Sequence, residues 1–354
     1  MRKLASIQVI SELAPILGAD MIERAQVLGW YLVVPNDYYQ VGDRVVYCEV
    51  DSLLPEQQEF EFLRKGYFRP AFVGLDGTVL QRAGYRIRTV RLRGQVSQGI
   101  CFPLSILPSS LSLTVGQDVT EVLGIIKHDP PLPACLNGKA IGHVPHFIQK
   151  TDETRVQTLA HVVARYQGVS FRSTEKVDGS SCTIFAYEGE TGICGRTLRF
   201  DPSDTSNTIV RLAREMALPD KLLEMSRESG TGWAVQGEVL GPGIQGNRYN
   251  LKEHTILAFN VLEIVNNISA LVPTSEFFRR CNLLGISMVP FFDEFCLTQG
   301  LNDLVEMSRG PSVLNPNVPR EGIVVRPVKP TQDPEIGRLT FKVINPDFLL
   351  KYGE

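Results

Sequence analysis

The segment of the chain that most clearly suggests chemistry is Glu175-Lys176-Val177-Asp178-Gly179. Its Asp-Gly pair is a turn signal, so we expect Lys176 to end a strand and to face a cavity. A lysine attacks as a nucleophile only in its neutral form, and it needs burial, neighbouring cations or a metal ion to lose its proton. The run therefore predicts a nucleophilic lysine, and the alternative is an exposed lysine beside a hairpin.

Residues further along the chain can serve the same site. Arg196 ends a strand-like run, and Glu238 lies among glycines that allow a ligand to approach the backbone closely. Phe259 follows in an apolar run, Glu321 precedes another, and Lys342 lies between apolar neighbours. Carboxylates are ligands for hard divalent cations, and cations can neutralise phosphate oxygens.

The region that contains these residues alternates strands and helices. Thr151 is a possible helix N-cap followed by acids, and apolar residues then recur at helical spacing until Gly168, so a helix is predicted there. The other predicted helices lie near 207–216, 219–228, 275–284 and 302–308. The predicted strands lie at 182–185, 233–235, 256–264, 323–325 and 339–344.

Residues 1–126 contain short β-type runs with polar turns and little helical pattern, which predicts an OB-like β-barrel. Four arginines stand close together in it, with Tyr85 beside them; they are Arg86, Arg88, Arg91 and Arg93. Alternate residues of a strand share a face, so Arg86 and Arg88 are expected to project together and to bind a nucleic-acid backbone. The alternative is a solvated barrel face.

The bulk properties limit the function classes. The prolines and the Asn-Gly pair within 127–145 predict a linker, which leaves 146–354 as a second domain. A net charge of −3 means that any nucleic-acid binding depends on local basic patches. No long apolar run predicts a membrane span, no signal peptide is evident, and seven scattered cysteines favour reduced thiols, so we expect a cytoplasmic monomer.

The order of the motifs resembles the covalent nucleotidyltransferases, the superfamily of ATP-dependent polynucleotide ligases and mRNA capping enzymes. Its members share Lys-x-Asp-Gly, an arginine after a strand, Gly-Glu, an aromatic strand, Glu-Gly-x-Val-x-Arg and a strand lysine, in that order. Only 12 residues follow Lys342, which leaves no room for the C-terminal OB domain of DNA ligases and capping enzymes. The β-rich module comes first instead, and the chain is similar to ATP-dependent RNA ligases with an N-terminal OB module.

This resemblance implies an α+β fold, with the OB-like β-barrel followed by a nucleotidyltransferase (adenylation) domain of antiparallel sheets flanked by helices. It also implies a three-step reaction. Lys176 attacks the α-phosphate of ATP and becomes linked to AMP, AMP passes to a 5′-phosphate end of RNA, and a 3′-hydroxyl then displaces it. The implied cofactor besides ATP is Mg²⁺ or Mn²⁺. The implied partner is RNA with 5′-phosphate and 3′-hydroxyl ends in a nicked duplex, with no membrane involved.

The resemblance also assigns roles to individual residues. The metal ligands are Asp178, Glu238 and Glu321, although Glu238 can instead bind the ribose hydroxyls. Arg155 and Lys342 contact phosphate, and Arg196 contacts the ribose or the RNA 5′-phosphate. Glu175 helps to recognise adenine and Phe259 stacks on it, unless Phe259 is core packing.

The chain departs from the ligase pattern at one position. A second lysine normally lies two residues after Lys342, but Ile344 stands there, so either Lys342 serves alone or another cation such as Lys351 substitutes. Two other functions stay open. One is a capping-type guanylyltransferase that uses GTP, and the other is a non-catalytic nucleic-acid-binding homologue.

Overall fold

The structure is a computed structural model that describes residues 3–73, 79–111, 113–129 and 132–353. The chain divides into two compact units. The first comprises Met1–Pro131, Val156–Val162 and Pro346–Glu354, and the second comprises Leu132–Arg155 and Val163–Asn345. Two short segments from later in the chain thus belong to the first unit. The domain limits predicted above stay predictions, and Pro130 and Pro131 of the predicted linker lie outside the described residues.

The first unit is built mainly from strands. Its longest strand, Ala5–Pro15, has a bulge between Ile10 and Glu12, so its first half pairs with one neighbour and its second half with another. The described strands are β1 (Ala5–Pro15), β2 (Ile22–Val27), β3 (Trp30–Pro35), β4 (Arg44–Cys48), β5 (Ser52–Leu54), β6 (Phe68–Arg69), β7 (Phe72–Val73), β8 (Val79–Gln81), β9 (Gly84–Arg86), β10 (Val90–Leu92), β11 (Gln95–Ser97), β12 (Ile100–Pro103) and β13 (Ile126–Lys127).

These strands form an OB-type half-barrel. A five-stranded sheet has the order β12-β4-β1-β2-β3, and a four-stranded sheet has the order β13-β5-β9-β6. The alternation of apolar and polar residues in β3 buries Trp30, Leu32 and Val34 on one face, as a half-buried strand requires. The predicted OB-like barrel is confirmed in fold, but Arg86 and Arg88 do not share a strand, because β9 ends at Arg86.

The second unit also contains many strands. Most of the predicted strands are present and longer than predicted, because hydrogen bonding continues beyond the apolar stretch that the sequence pattern reveals. The described strands are β14 (Ala140–His143), β15 (Thr154–Arg155), β16 (Ser170–Lys176), β17 (Ser180–Tyr187), β18 (Glu190–Cys194), β19 (Leu198–Phe200), β20 (Gly232–Leu240), β21 (Thr255–Val265), β22 (Ile268–Leu271), β23 (Phe291–Cys296), β24 (Gly322–Pro327), β25 (Gln332–Asp333), β26 (Gly337–Arg338) and β27 (Phe341–Ile344).

Two sheets organise this unit. A seven-stranded sheet has the order β14-β19-β18-β17-β20-β21-β22, and a five-stranded sheet has the order β15-β27-β24-β16-β23. Their strand pairs are antiparallel except for β15 and β27, which are parallel. The antiparallel sheets expected for an adenylation domain are therefore present.

The helices follow the sequence signals closely, with one exception. Asn207 caps one helix by accepting hydrogen bonds from the Ile209 and Val210 amides, and Gly230 ends the next in a left-handed conformation. The helix predicted from Thr151 to Gly168 is wrong in extent, because its first residues form β15 and a short 3₁₀ turn. The helices are α1 (Arg64–Tyr67), α2 (Ala160–Arg165), α3 (Thr208–Glu215), α4 (Leu218–Ser229), α5 (Thr274–Leu284), α6 (Leu301–Ser308) and α7 (Pro346–Tyr352).

Helices α3, α4 and α5 contribute buried apolar residues to the same cluster as the seven-stranded sheet, among them Val210, Leu222 and Phe277. A smaller apolar cluster joins the turn that follows β16 to the seven-stranded sheet, with Val177 from the turn and Leu257 from β21. In the described part of the chain, no helix is long and apolar enough to cross a membrane.

Candidate active site

Lys176 is the last residue of β16, where the strand gives way to the Asp-Gly turn. Its Nζ donates a hydrogen bond to Oε1 of Glu321 at 2.5 Å. The sheet register creates this pair, because Lys176 lies opposite Gly322 on β24 and Glu321 directly precedes that strand. The other oxygen of Glu321, Oε2, is buried without a hydrogen-bond partner.

Glu238 adds a second carboxylate near the same lysine. It lies on β20, opposite Ser181 of β17. The pKa of Glu238 is raised to about 8, mainly by burial; the charge of Lys176 lowers it and the charge of Glu321 raises it. A divalent cation beside these two carboxyl groups would favour the ionised form of Glu238.

Glycine is required in the turn between β16 and β17. A Cβ atom on Gly179 would lie 2.4 Å from the Val239 carbonyl oxygen and 2.8 Å from Cγ of Glu238. Real Cβ atoms do not approach backbone atoms so closely, so only glycine lets this turn pack against β20. The Asp-Gly pair of the sequence therefore places Lys176 and Glu238 near each other.

The described residues contain no group of three or more His, Cys, Asp or Glu side chains that could hold a metal ion. Glu238 and Glu321 fit a divalent cation in chemistry, since one has a raised pKa and the other has an unpartnered buried oxygen. The three predicted metal ligands, however, are not assembled as one set.

Asp178 is the member of that predicted set with a different partner. Its carboxylate forms an ion pair with Arg248, and both side chains are largely buried. Its backbone N–H donates to the Tyr249 hydroxyl at 2.6 Å. Our sequence reasoning missed Arg248 and Tyr249, although the glycine-rich run at 241–246 that leads to them was the available signal.

Two of the three predicted phosphate-binding cations lie against one acid, Asp152, and the third lies beside one of them. Asp152 accepts a hydrogen bond from Arg196 at 2.9 Å and lies 3.8 Å from Nζ of Lys342. Arg155 is opposite Lys342 in the parallel pair of β15 and β27. The structure thus brings Arg155, Arg196 and Lys342 into one region, and it adds Asp152, which the sequence did not single out.

Two details of the predicted phosphate contacts change. Arg155 was expected at a helix start, but it lies on β15, whose edge position beside β27 brings it next to Lys342. Ile344 is 5% exposed and pairs with Gly322, so it packs as a core residue of β27. Lys351 is exposed on α7, in the first unit.

Glu175 is 1% exposed, which is unusual for a carboxylate. Its Oε2 accepts a hydrogen bond from the Val313 amide at 2.8 Å, whereas Oε1 has no hydrogen-bond partner. Burial raises the pKa of Glu175. A buried carboxyl with one unsatisfied oxygen is suited to binding a polar ligand group.

Phe259 is half-buried on β21 and packs against the apolar cluster that contains Val177 and Leu257. It also lines a cavity of about 210 Å³ together with residues of both sheets. A partly exposed ring on a cavity wall allows stacking as well as packing, and both interpretations of Phe259 stay open.

Comparisons with known proteins agree with this arrangement. Residues 4–104 match an OB-fold domain family, and residues 170–344 match the RNA ligase family. A solved structure of an RNA ligase from Naegleria gruberi, without ligand, is 33% identical and superposes with a TM-score of 0.86, covering 98% of this chain and 97% of that one. The chain belongs to the RNA ligase family.

Other structures of the Naegleria gruberi RNA ligase contain ligands. A variant with ATP and Mn is 33% identical with a TM-score of 0.87, and the match covers 100% of both chains. The form with PPi is 34% identical with a TM-score of 0.85, over 99% of this chain and 98% of that one. No curated protein matches the sequence.

The arginines predicted to bind RNA lie in the OB-type unit of this RNA ligase, but in two places. Arg86 ends β9 and donates to Asp51 at 3.0 Å, and Arg88 lies over the Tyr67 ring. Both are close enough to Arg69 that their charges lower its pKa, after burial, which is the larger cause. Arg86, Arg88 and Arg69 thus form one basic group.

The other two arginines belong to the β10–β11 hairpin. Arg91 is exposed and lies 3.5 Å from Asp347, and Arg93 is exposed at the hairpin turn. The prediction that Tyr85 stands on the basic face is wrong. Tyr85 is fully buried because its ring packs in the core, and its hydroxyl donates to Glu61 at 2.5 Å.

Proposed function

We propose that this RNA ligase uses ATP to join a 3′-hydroxyl end to a 5′-phosphate end of RNA through a lysyl-AMP intermediate on Lys176. The observation that carries the proposal is the position of Lys176, in contact with Glu321 and beside Glu238. The ATP-bound and PPi-bound forms of the similar Naegleria gruberi enzyme support the choice of nucleotide.

In the first step, Nζ of Lys176 attacks the α-phosphorus of ATP. A P–N bond forms, the bond to the bridging oxygen of pyrophosphate breaks, and pyrophosphate leaves. The attacking amine must lose a proton, and Oε1 of Glu321 is the carboxylate oxygen in contact with it.

Cationic side chains supply the stabilisation that phosphoryl transfer needs. Arg196 and Lys342 both lie against Asp152, and Arg155 is opposite Lys342 on the adjacent strand. We assign all three to the phosphates of ATP or of the RNA end. Arg155, rather than Lys351, then takes the place of the lysine that Ile344 replaces, because Arg155 lies next to Lys342 on the adjacent strand.

Glu238 and Glu321 would hold the divalent cation, either Mn²⁺ or Mg²⁺. Such an ion stabilises negative charge that develops on phosphate oxygens. The Naegleria gruberi enzyme is seen with Mn together with ATP and together with AMP, which supports Mn²⁺ here. Asp178 joins this set only when its ion pair with Arg248 opens.

Glu175 and Phe259 would recognise the adenine base. The unpartnered Oε1 of Glu175 can accept a hydrogen bond from the exocyclic amino group, and the partly exposed ring of Phe259 can stack on the base. Stacking of a base on an aromatic side chain contributes about 1–3 kcal/mol. Guanine has no amino group at the same ring position, so this arrangement favours ATP over GTP.

The last two steps act on RNA. AMP moves from Lys176 to the 5′-phosphate, and the 3′-hydroxyl then attacks that phosphate and releases AMP. We propose a nicked duplex as the substrate, because an OB-type unit with two basic groups suits backbone binding beside a break. We also propose that the enzyme is a cytoplasmic monomer, which size-exclusion chromatography with light scattering and cell fractionation can test.

Labelling with α-³²P nucleotides tests the first step. Wild type incubated with Mn²⁺ and labelled ATP should form a labelled protein that survives denaturation, and labelled GTP should give far less. Lys176→Ala should form none, whereas Lys150→Ala, at a nearby lysine, should label normally. A labelled Lys176→Ala protein would place the nucleophile elsewhere, and equal labelling by GTP would refute the assignment of the base.

Sealing assays test the substrate. RNA nicks in a duplex, single-stranded RNA with the same ends and the corresponding DNA nicks are compared at equal enzyme concentration. We expect the fastest sealing at the RNA nick. Faster joining of single strands would contradict the nicked-duplex assignment and leave the labelling result unaffected.

A further inference from the structure

A cavity between the two sheets of the second unit has a strongly basic wall. Its volume is about 210 Å³, and its lining includes Arg172, Arg326 and Arg338 together with apolar side chains such as Phe277 and Leu271. Lys176, Glu238, Glu321 and Lys342 are absent from the described residues that line it. Only Phe259 belongs both to this wall and to the proposed nucleotide site.

Arg172 carries a buried charge that the described structure leaves without an acceptor. The residue is 7% exposed, and its Nε and Nη1 have no hydrogen-bond partner. Its guanidinium lies over the Phe291 ring at 4.8 Å, which satisfies no N–H group. Glu294 is opposite it on β23, but that side chain is exposed and forms no ion pair with Arg172 among the described residues.

Arg326 places a second buried charge directly beside the first. The register of β16 and β24 puts Arg172 and Arg326 opposite each other, and Arg326 is 5% exposed. Its Nη1 donates to Thr174 and its Nη2 lies 3.7 Å from Glu153, but its Nε has no partner. Like charges directly opposite each other in a sheet destabilise it.

The interior acids do not balance this charge. Glu153 is the carboxylate nearest to Arg326, and it also accepts a hydrogen bond from Arg338 at 3.2 Å. Arg338 is otherwise satisfied, because it donates to Gln149 at 3.0 Å and to the Lys150 carbonyl at 3.2 Å. One largely buried carboxylate thus faces two of the three guanidinium groups, and only the charge of the exposed Glu294 offsets that of Arg172.

Charges buried in this way are costly unless a counter-ion accompanies them. We infer that this cavity is a binding site for a phosphate-class oxyanion, held by Arg172 and Arg326 and separate from the site of nucleotidyl transfer. Guanidinium groups bind tetrahedral oxyanions well because their N–H groups match the spacing of two oxygens. A phosphate dianion also matches the excess of two positive charges over Glu153.

The dimensions of the cavity favour a small ligand. Its volume is below the range of roughly 300–1,000 Å³ that is typical of pockets for drug-sized molecules. Inorganic phosphate with a few waters fits, since each water takes about 30 Å³.

The position of the site suggests what occupancy does. Arg172 precedes Lys176 by four residues on β16, on the same face of the strand, or about 13 Å along it. Arg326 is on β24, which begins just after Glu321. An anion that bridges the two arginines therefore relieves the repulsion between two paired strands, and the ends of these strands carry Lys176 and Glu321.

Titration with inorganic phosphate tests the site. Calorimetry and thermal unfolding are measured at constant ionic strength, without divalent cations, for wild type and Arg172→Met. We expect wild type to bind phosphate and to unfold at a higher temperature with it. Arg172→Met should bind at least tenfold more weakly, and without phosphate it should unfold at or above the wild-type temperature, because an unpaired charge has been removed.

Arg280→Met is the matched control. Arg280 also packs on an aromatic ring, at 3.9 Å from the Trp233 ring, but it has a carboxylate partner in Glu276. Its loss should lower the unfolding temperature equally with and without phosphate. The proposal is wrong if Arg172→Met keeps the phosphate response of wild type, or if Arg280→Met loses it to the same degree.

A second experiment tests whether the cavity binds free phosphate or the phosphates of the nucleotide. The phosphate titration is repeated with ATP at saturating concentration, still without divalent cations. A separate site keeps its affinity for phosphate within a few-fold. Complete displacement of phosphate by ATP would show that phosphate had occupied the nucleotide site, and it would refute a second site.

Discussion

At the scale of single residues, the site depends on carboxylates whose charge is controlled by burial. Glu238 has a pKa of about 8, mainly because burial disfavours its ionised form. The charge of Asp178 is controlled differently, because the carboxylate forms a direct ion pair with Arg248. Glu238 and Asp178 are therefore not equivalent, and we expect their mutation to have different effects.

The raised pKa of Glu238 predicts a stability that depends on pH. A carboxyl with a folded-state pKa near 8 and an unfolded value near 4.5 binds more protons when folded, so its contribution to stability is lost as pH rises through 8. Glu238→Gln should remove this loss of stability at high pH, because the amide does not ionise. We expect the stability of the variant relative to wild type to rise by up to about 4 kcal/mol between pH 5 and pH 9.

Urea unfolding at several pH values without divalent cations measures this difference. Glu263→Gln, at an acid on the neighbouring strand β21 that bonds to Thr231, is the control and should show no such trend. A Glu238→Gln variant whose stability changes with pH as steeply as wild type would show that Glu238 is ionised in the folded protein at neutral pH.

The Asp178–Arg248 pair predicts strong coupling. Both side chains are at most 15% exposed, so removing Arg248 alone leaves a buried carboxylate without its partner. We expect Arg248→Met to destabilise the protein by roughly 3–5 kcal/mol, and Asp178→Asn in the same background to restore much of that loss. A double-mutant cycle in urea measures the coupling, and additive effects would mean that the pair contributes little.

At the scale of elements, the turn between β16 and β17 has to fit against β20. The close approach of Gly179 to Val239 and Glu238 leaves no space for a methyl group. Overpacking of this kind costs about 1–3 kcal/mol. Local packing at one glycine therefore controls both stability and the distance between Lys176 and Glu238.

Gly179→Ala should lower the free energy of unfolding by about 1–3 kcal/mol and slow the labelling of Lys176 beyond what the stability loss explains. Gly300→Ala is the control, since a Cβ atom there meets only Asp303 at 3.6 Å. Urea unfolding and labelling by α-³²P ATP are measured on both variants. Normal labelling by a destabilised Gly179→Ala protein would show that the conformation of this turn does not affect the reactivity of Lys176.

At the scale of the whole molecule, the two units are proposed to divide the reaction. The second unit holds the residues proposed for transfer of AMP, and the OB-type unit holds the arginines proposed to bind RNA. Each function can then be lost without the other. The arginines with the greatest freedom to contact RNA are the exposed Arg91 and Arg93, with Arg88 partly exposed.

Replacing Arg88, Arg91 and Arg93 together by alanine should weaken RNA binding and sealing at least tenfold while leaving labelling by ATP unchanged. Each lost phosphate contact should reduce the salt dependence of binding, log Kd against log salt, by about 0.7–0.9. Arg44→Ala, at an exposed arginine that donates to the Leu113 carbonyl, is the control. Equal loss of labelling and sealing would contradict the division of labour.

Much of the fold could be predicted from the sequence, because local patterns of apolar, turn and capping residues indicate where strands and helices begin and end. The helix near 207–216 was located from the sequence and is α3, and the turn after Lys176 was located from its Asp-Gly pair. The helix predicted from Thr151 failed because the first residues of that segment pair with β27, a strand almost two hundred residues away. A distant partner of this kind overrides local helical preference.

The sequence alone determined the family and its ATP-dependent RNA ligase activity, because the order of the motifs can be read along the chain without the fold. Only the tertiary structure could show that Asp152 lies between Arg196 and Lys342, that Arg248 binds Asp178, or that Arg172 faces Arg326. Each of these contacts depends on sheet register or on packing between distant segments. Motif spacing does not encode the register, since a shift of one residue would turn every side chain to the other face.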